Sequence, residues 1–156
     1  MIDRRRASVA GLAASASVFV AILMHEGYSD TAYEPVPGDV PTIGFGTTAG
    51  VKPGDTITAP RAVARALADV QKFEGALKTC VKVPLAQGEY DAFVSLSYNI
   101  GPSAFCGSTL VKKLNAGDYT AACQQILVWD KFKGKPLKGL TVRRQAEYKL
   151  CIGEIS

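Results

Sequence analysis

Residues 19–27 read Phe19-Val20-Ala21-Ile22-Leu23-Met24-His25-Glu26-Gly27, and residues 42–47 read Thr42-Ile43-Gly44-Phe45-Gly46-Thr47. The first stretch is an apolar helical run that closes on a carboxylate and a glycine. The second is a short β segment punctuated by glycines. Between 28 and 51, Tyr33, Val36, Val40, Ile43 and Phe45 stand among Pro35, Pro37, Gly38, Pro41, Gly44 and Gly46. This texture predicts short hairpin strands with tight turns, the prolines confining them to edges or strand ends. A helix running straight into a small sheet decides the architecture.

Downstream the pattern is helical. Thr58 is the expected N-cap of a long helix over 59–79, with Pro60 in its first turn. Its apolar stripe is Val63, Ala66, Leu67, Val70, Phe73 and Leu77. Pro84 interrupts, and a second helix over 87–99 buries Phe93, Val94 and Leu96 before Gly101-Pro102 ends it. Shorter helices are expected at 108–115, 119–130 and 141–152, with a turn-rich stretch at 133–139. The fold class is therefore α+β: a small β-hairpin sheet beside a mostly helical lobe, with a cleft between them.

Of the 156 residues, 47% are hydrophobic, enough for one buried core and against disorder. Eighteen basic against 14 acidic residues leave a charge of +4, which suits an anionic partner. No basic stripe interleaved with aromatics appears, so nucleic acid is not the expected partner. The cysteines, Cys80, Cys106, Cys123 and Cys151, form no Cys-x-x-Cys pair, and His25 is the single histidine. A zinc site is therefore not expected, no metal or other cofactor is implied, and two disulfides in an oxidising compartment are the better reading. Packed helix ends favour Cys80–Cys106 and Cys123–Cys151 among the three pairings that four cysteines allow.

Arg4, Arg5 and Arg6 precede an uncharged segment over 7–24. Eighteen residues of helix span about 27 Å, close to the hydrocarbon thickness of a bilayer. The arginines would keep the N-terminus cytoplasmic, with the rest of the chain across the inner membrane, in the periplasm. Ten of those 18 residues are Ala, Gly or Ser, so the anchor is weak. A soluble helix with Val9, Leu12, Ala16, Phe19 and Leu23 along one stripe, or a signal cleaved near Ala14-Ser15-Ala16, are the competing readings. Residues 1–25 are thus expected as a segment leading into a catalytic domain over 26–156.

Glu26, at a junction of helix and sheet, is placed to be partly desolvated, which favours a carboxyl that donates its proton. Glu26-Gly27, Tyr33 and the 42–47 strand are followed by Tyr98-Asn99-Ile100-Gly101, Phe105 with Ser108-Thr109-Leu110, and Leu114-Asn115-x-Gly117-Asp118. Trp129, Gly139-Leu140 and Arg143-Arg144 complete the series. In this order, over nearly the whole chain, they resemble the phage-type lysozymes of glycoside hydrolase family 24, and the N-terminal segment resembles those of signal-anchor-release endolysins. The resemblance implies a muramidase that hydrolyses peptidoglycan glycan strands, acts as a monomer, and is held by residues 7–24 in the host inner membrane before release to the periplasm. It implies Glu26 as general acid and Thr42 as holder of the attacking water. The family's third residue, an aspartate nine positions after the glutamate, is here Pro35, and the interval to Thr42 is one residue longer. Asp39, three residues before Thr42 in a turn, is the preferred replacement, with Glu34 the alternative. Arg143 and Arg144 are the candidate substrate-binding pair, one facing the cleft and the other solvated. Trp129 reads as core. A lytic transglycosylase on the same bond and a non-catalytic tethered wall-binding protein are the rival functions.

Overall fold

A computed structural model describes residues 5–155. Arg4, one of the three flanking arginines, lies outside the described residues. Helix α1 (Ala16–Glu26) leads into β1 (Ser29–Tyr33), which pairs antiparallel with β2 (Thr42–Gly44). Then come α2 (Ala59–Cys80), α3 (Gln87–Ile100), α4 (Pro102–Cys106), α5 (Thr109–Asn115) and α6 (Tyr119–Gln125). A second two-stranded pair, β3 (Lys131–Phe132) and β4 (Lys135–Pro136), precedes α7 (Lys138–Ile152). The class is α+β, as expected.

The core is organised on α3, whose residues 89–98 are all buried. A helix apolar on most sides must be covered on most sides, and α1, α2, α4 and α7 cover this one. Gly88 permits the closest approach: a β-carbon there would stand 2.7 Å from the Leu150 carbonyl oxygen of α7. Disulfides tie the helix ends, Cys80 to Cys106 and Cys123 to Cys151, with Cα separations of 5.6 and 5.7 Å. Each closes a loop of 26 or 28 positions, worth about 3.5 kcal/mol in the chain-entropy picture.

Local expectations meet several corrections. The helix of α2 starts where expected, but the Thr58 side chain makes no capping hydrogen bond. Its buried face is Ala62, Ala66, Val70 and Leu77, whereas Val63 and Leu67 are exposed. The cause is the sheet: a β-carbon at Gly44 would lie 3.0 Å from the Ala62 Cβ, so β2 presses on the small-residue side of α2. Gly101-Pro102 ends α3, as expected, but the same pair also starts α4, because proline suits a first helical position. The helix expected to reach residue 130 stops at Gln125 and passes into a 3-10 turn, Ile126–Val128. Part of the turn-rich stretch is a hairpin, with Lys133 and Gly134 both at positive φ, the geometry of a tight two-residue turn.

The largest correction concerns residues 7–24, which are not one helix. Ala7 forms a β-bridge with Leu85, Val9–Gly11 is a 3-10 turn, residues 12–15 are not helical, and α1 has 11 residues. No helix among the described residues is long and apolar enough to cross a membrane. Polar partners on α2 and α3 hold the segment open. The Ala14 amide donates to Glu74 (2.6 Å), and the Ser15 amide and hydroxyl both donate to Asp91 (3.0 and 2.7 Å). The Ser15 hydroxyl also accepts the Val18 amide and so caps α1. Because α1 starts there, its fully buried residues are Val18 and Ile22, with Phe19 and Leu23 only partly buried. Arg6 pairs with the buried Glu89 at 2.8 Å and stacks 3.5 Å above the Tyr119 ring.

Candidate active site

Glu26 is the last residue of α1, and Gly27, at φ 68°, turns the chain toward β1. The carboxylate thus stands on a rigid support whose far end is buried through Val18 and Ile22. Its two oxygens meet different surroundings. Oε1 accepts from Arg143 Nη1 of α7 at 2.7 Å. Oε2 faces the turn after β2, where a β-carbon at Gly46 would stand only 3.0 Å away. Gly46, at φ 86°, is required both for that approach and for its own backbone conformation. The Glu26 side chain keeps 19% of its surface open while Arg143 keeps 5%. This leaves a carboxylate reachable from solvent above a sequestered guanidinium.

The structure brings Glu26 and Arg143 together across 117 positions of sequence. Among the described residues no hydrogen bond joins Asp39, Glu34 or Thr42 to them. These three belong to the connection between the strands and its end: Tyr33 pairs with Thr42, so residues 34–41 form the loop. Asp39 accepts its neighbour Val40's amide (2.8 Å), and Glu34 accepts the Gly38 amide (2.9 Å). Both carboxylates are exposed, and each has one oxygen in these contacts. Thr42 is buried, its hydroxyl donating to the Val40 carbonyl at 3.2 Å.

Arg144 departs from expectation. Rather than one arginine being solvated, both are buried. Arg144 donates to Asn99 (2.9 Å), to the Trp129 carbonyl (3.4 Å) and to Glu147 (3.0 Å). With 1% of its side chain exposed, it has no surface to offer a glycan. Glu147 is the partner that sequence reading missed. It also accepts from Arg143 Nε (3.3 Å) and Ser95 Oγ (2.7 Å). Its signal was present: Glu147 lies three and four positions after the arginines, the spacing of helical ion pairs. Burial pushes the Glu147 carboxyl upward while Arg144 and Arg143 pull it back, and burial lowers Arg144. Arg143 is therefore anchored from behind by Glu147 and the Ser95 carbonyl, with Nη1 aimed at Glu26. Desolvation, then the charges of Arg143 and Arg144, hold His25 below its ordinary value. Trp129 packs against the core, as expected.

Known proteins carry the same arrangement of elements. The sequence profile of the phage lysozymes matches residues 24–147. The chain is 46% identical over 132 residues to the endolysin of Acyrthosiphon pisum secondary endosymbiont phage 1, covering 82% of this chain and 90% of that one. It is 41% identical over 144 residues to the SAR-endolysin of Pseudomonas phage phiKMV, covering 90% and 89%. The muramidase domain of SpmX from Asticaccaulis excentricus superposes with a TM-score of 0.81 at 31% identity, over 90% of this chain and 97% of the other. An Arg-held glutamate at the end of a helix, facing a glycine turn of a two-stranded sheet, thus comes with the sequence profile, the relatives and the fold of one group. This chain belongs to the phage lysozyme family and is a glycosidase that hydrolyses peptidoglycan.

Proposed function

We propose that the chain cleaves the β-1,4 bond between N-acetylmuramic acid and N-acetylglucosamine by single displacement, with Glu26 as general acid. The observation that carries this reading is the unequal pair of oxygens on Glu26. Arg143 donates to Oε1, which leaves Oε2, on the Gly46 side, to bear the proton and pass it to the leaving glycosidic oxygen. On the opposite face of the sugar a water attacks the anomeric carbon. Thr42 spends its hydroxyl proton on the Val40 carbonyl, so its lone pairs are left to accept from that water. Asp39 receives the proton the water loses, through the oxygen not bonded to Val40, with Glu34 the alternative base. Arg143 acts by orienting Glu26, and Arg144 by supporting Glu147 behind it. Mass spectrometry of muropeptides released from purified sacculi tests this. Wild type should yield reducing N-acetylmuramic acid ends, and Glu26→Gln should release them at least about 100-fold more slowly. A 1,6-anhydro product would reassign the reaction to a transglycosylase.

The same reading includes a journey. Residues 7–24 first hold the protein in the host inner membrane as a weak anchor, then leave it, and the enzyme works in the periplasm as a monomer. Kinship to a SAR-endolysin and the Ala, Gly and Ser content of the segment support this. The polar docking of Ala14 and Ser15 supports it too, since those contacts suit a segment that is out of the bilayer. Fractionation of expressing cells should find membrane and periplasmic pools, with lytic activity only in the latter. A fully active membrane pool would overturn it.

A further inference from the structure

We propose that Tyr98 and Asp69 are positioning residues that set the orientation of Glu26 through the glycine turn of residues 43–47. The inference rests on Glu26 being the acid. It concerns two side chains that, among the described contacts, form no hydrogen bond to Glu26.

The turn itself has little to hold it. Ile43 and Thr47 exchange two backbone hydrogen bonds (2.9 and 3.0 Å), and the three residues between them are Gly44, Phe45 and Gly46. Both glycines are at positive φ, so the segment is intrinsically loose. Outside groups fix it at three points. Gly44 is wedged against Ala62 of α2. The Tyr98 phenol, reaching from α3, donates to the Phe45 carbonyl at 2.6 Å. Asp69, on α2, accepts the Thr47 hydroxyl at 2.7 Å.

Each of these anchors is itself constrained. Tyr98 is buried and packs edge-on against Phe73, ring centroids 5.2 Å apart. Burial, then the negative charges of Asp69 and Glu26, push its phenol far above the ordinary value, so it remains a donor. Thr47 is buried, so water does not easily replace its bond to Asp69. The turn so held places Gly46 against Glu26 Oε2. Opposite it, Arg143 holds Oε1. The carboxyl is thereby gripped from two sides, and only the Arg143 side is a direct hydrogen bond. Without the turn, Glu26 can rotate about its contact with Arg143 and lose the alignment of Oε2. Misplacing a reacting group by about 1 Å costs up to about 100-fold.

The experiment measures kcat and KM on soluble peptidoglycan fragments, with thermal midpoints alongside. Tyr98→Phe removes one oxygen and keeps the ring against Phe73. It should lower kcat about tenfold or more and leave KM within about twofold, because Glu26 orientation serves the transition state rather than ground-state binding. Thr47→Val, nearly the same shape without the hydroxyl, should do likewise, and Thr47→Ser should restore most of kcat. The Thr47 pair decides the matter if Tyr98→Phe does not fold. Folded variants with unchanged kcat overturn the proposal, however far their midpoints fall. So does a loss carried entirely by KM, or a Thr47→Ser that is as impaired as Thr47→Val. An inactive Glu26→Gln beside a normal Tyr98→Phe defeats this inference alone, and an active Glu26→Gln removes the acid assignment with it.

Discussion

At the scale of single residues, the two oxygens of Glu26 have different surroundings, Arg143 at Oε1 and the Gly46 turn at Oε2, and the proposed acid role divides labour between them. Replacing the carboxyl by an amide keeps the contact with Arg143 but removes the proton. Glu26→Gln should therefore stay folded and lose about 10²–10⁴-fold in turnover, the usual worth of general acid catalysis; near-normal turnover would take Glu26 out of the mechanism. The proposed base is one of two loop carboxylates that each spend one oxygen on the backbone. Asp39 is one amide away from Val40, whose carbonyl holds Thr42. Asp39→Asn should then reduce turnover far more than Glu34→Gln, and the opposite ranking in the same assay would transfer the role to Glu34.

At the scale of elements, α1 is a helix whose beginning is decided elsewhere. Its cap Ser15 is held by Asp91 of α3, which also accepts from Gln87, and the preceding amide is held by Glu74 of α2. Tyr90 donates to the same Glu74, so two elements share one carboxylate. Hydrogen bonds to a charged partner are each worth about 1.5–3 kcal/mol when that partner is removed. Asp91→Ala should therefore cost about 3 kcal/mol in denaturant unfolding. It should also loosen the N-terminal turn of α1, seen as faster amide exchange at Val18. A variant as stable as wild type would mean that apolar packing of Val18 and Ile22 alone seats the helix.

For the whole molecule, the proposed anchor would require one segment to satisfy two surroundings. In the fold, Val20 and Met24 on α1 remain 53% and 80% exposed. The proposed anchor is weak because its small side chains gain little from lipid. Ala10 and Gly11 are both exposed in the docked form, and a β-carbon at Gly11 meets nothing within 4 Å. Leucine at both positions should leave the folded enzyme intact while raising lipid preference, by up to about 1 kcal/mol per change on insertion scales. Cells expressing that variant should retain it in the membrane fraction and lyse late. Release and lysis indistinguishable from wild type would reject the anchor.

Short-range physics made much of this readable from sequence. The helices expected over 59–79 and 87–99 follow from apolar spacing at three and four residues, and each runs one residue further in the structure. The hairpin follows from glycine and proline between alternating apolar residues, and Glu26 at a helix end follows from the Gly27 after it. These are interactions within a few positions of chain, where residue order and distance in space coincide. Tertiary structure alone decided the rest. Val63 and Leu67 are exposed because Gly44 brings the sheet against Ala62. Ala14 and Ser15, just before α1, are held by carboxylates 60 and 76 positions away. Arg144 is buried because Asn99 and Trp129 come to meet it. Glu26 finds Arg143 only when α1 and α7 both pack on α3. A buried charge takes whichever partner the packed helices bring within reach: residue order marks Glu147 for Arg143 and Arg144 because they share one helix, but it marks no partner that comes from another element.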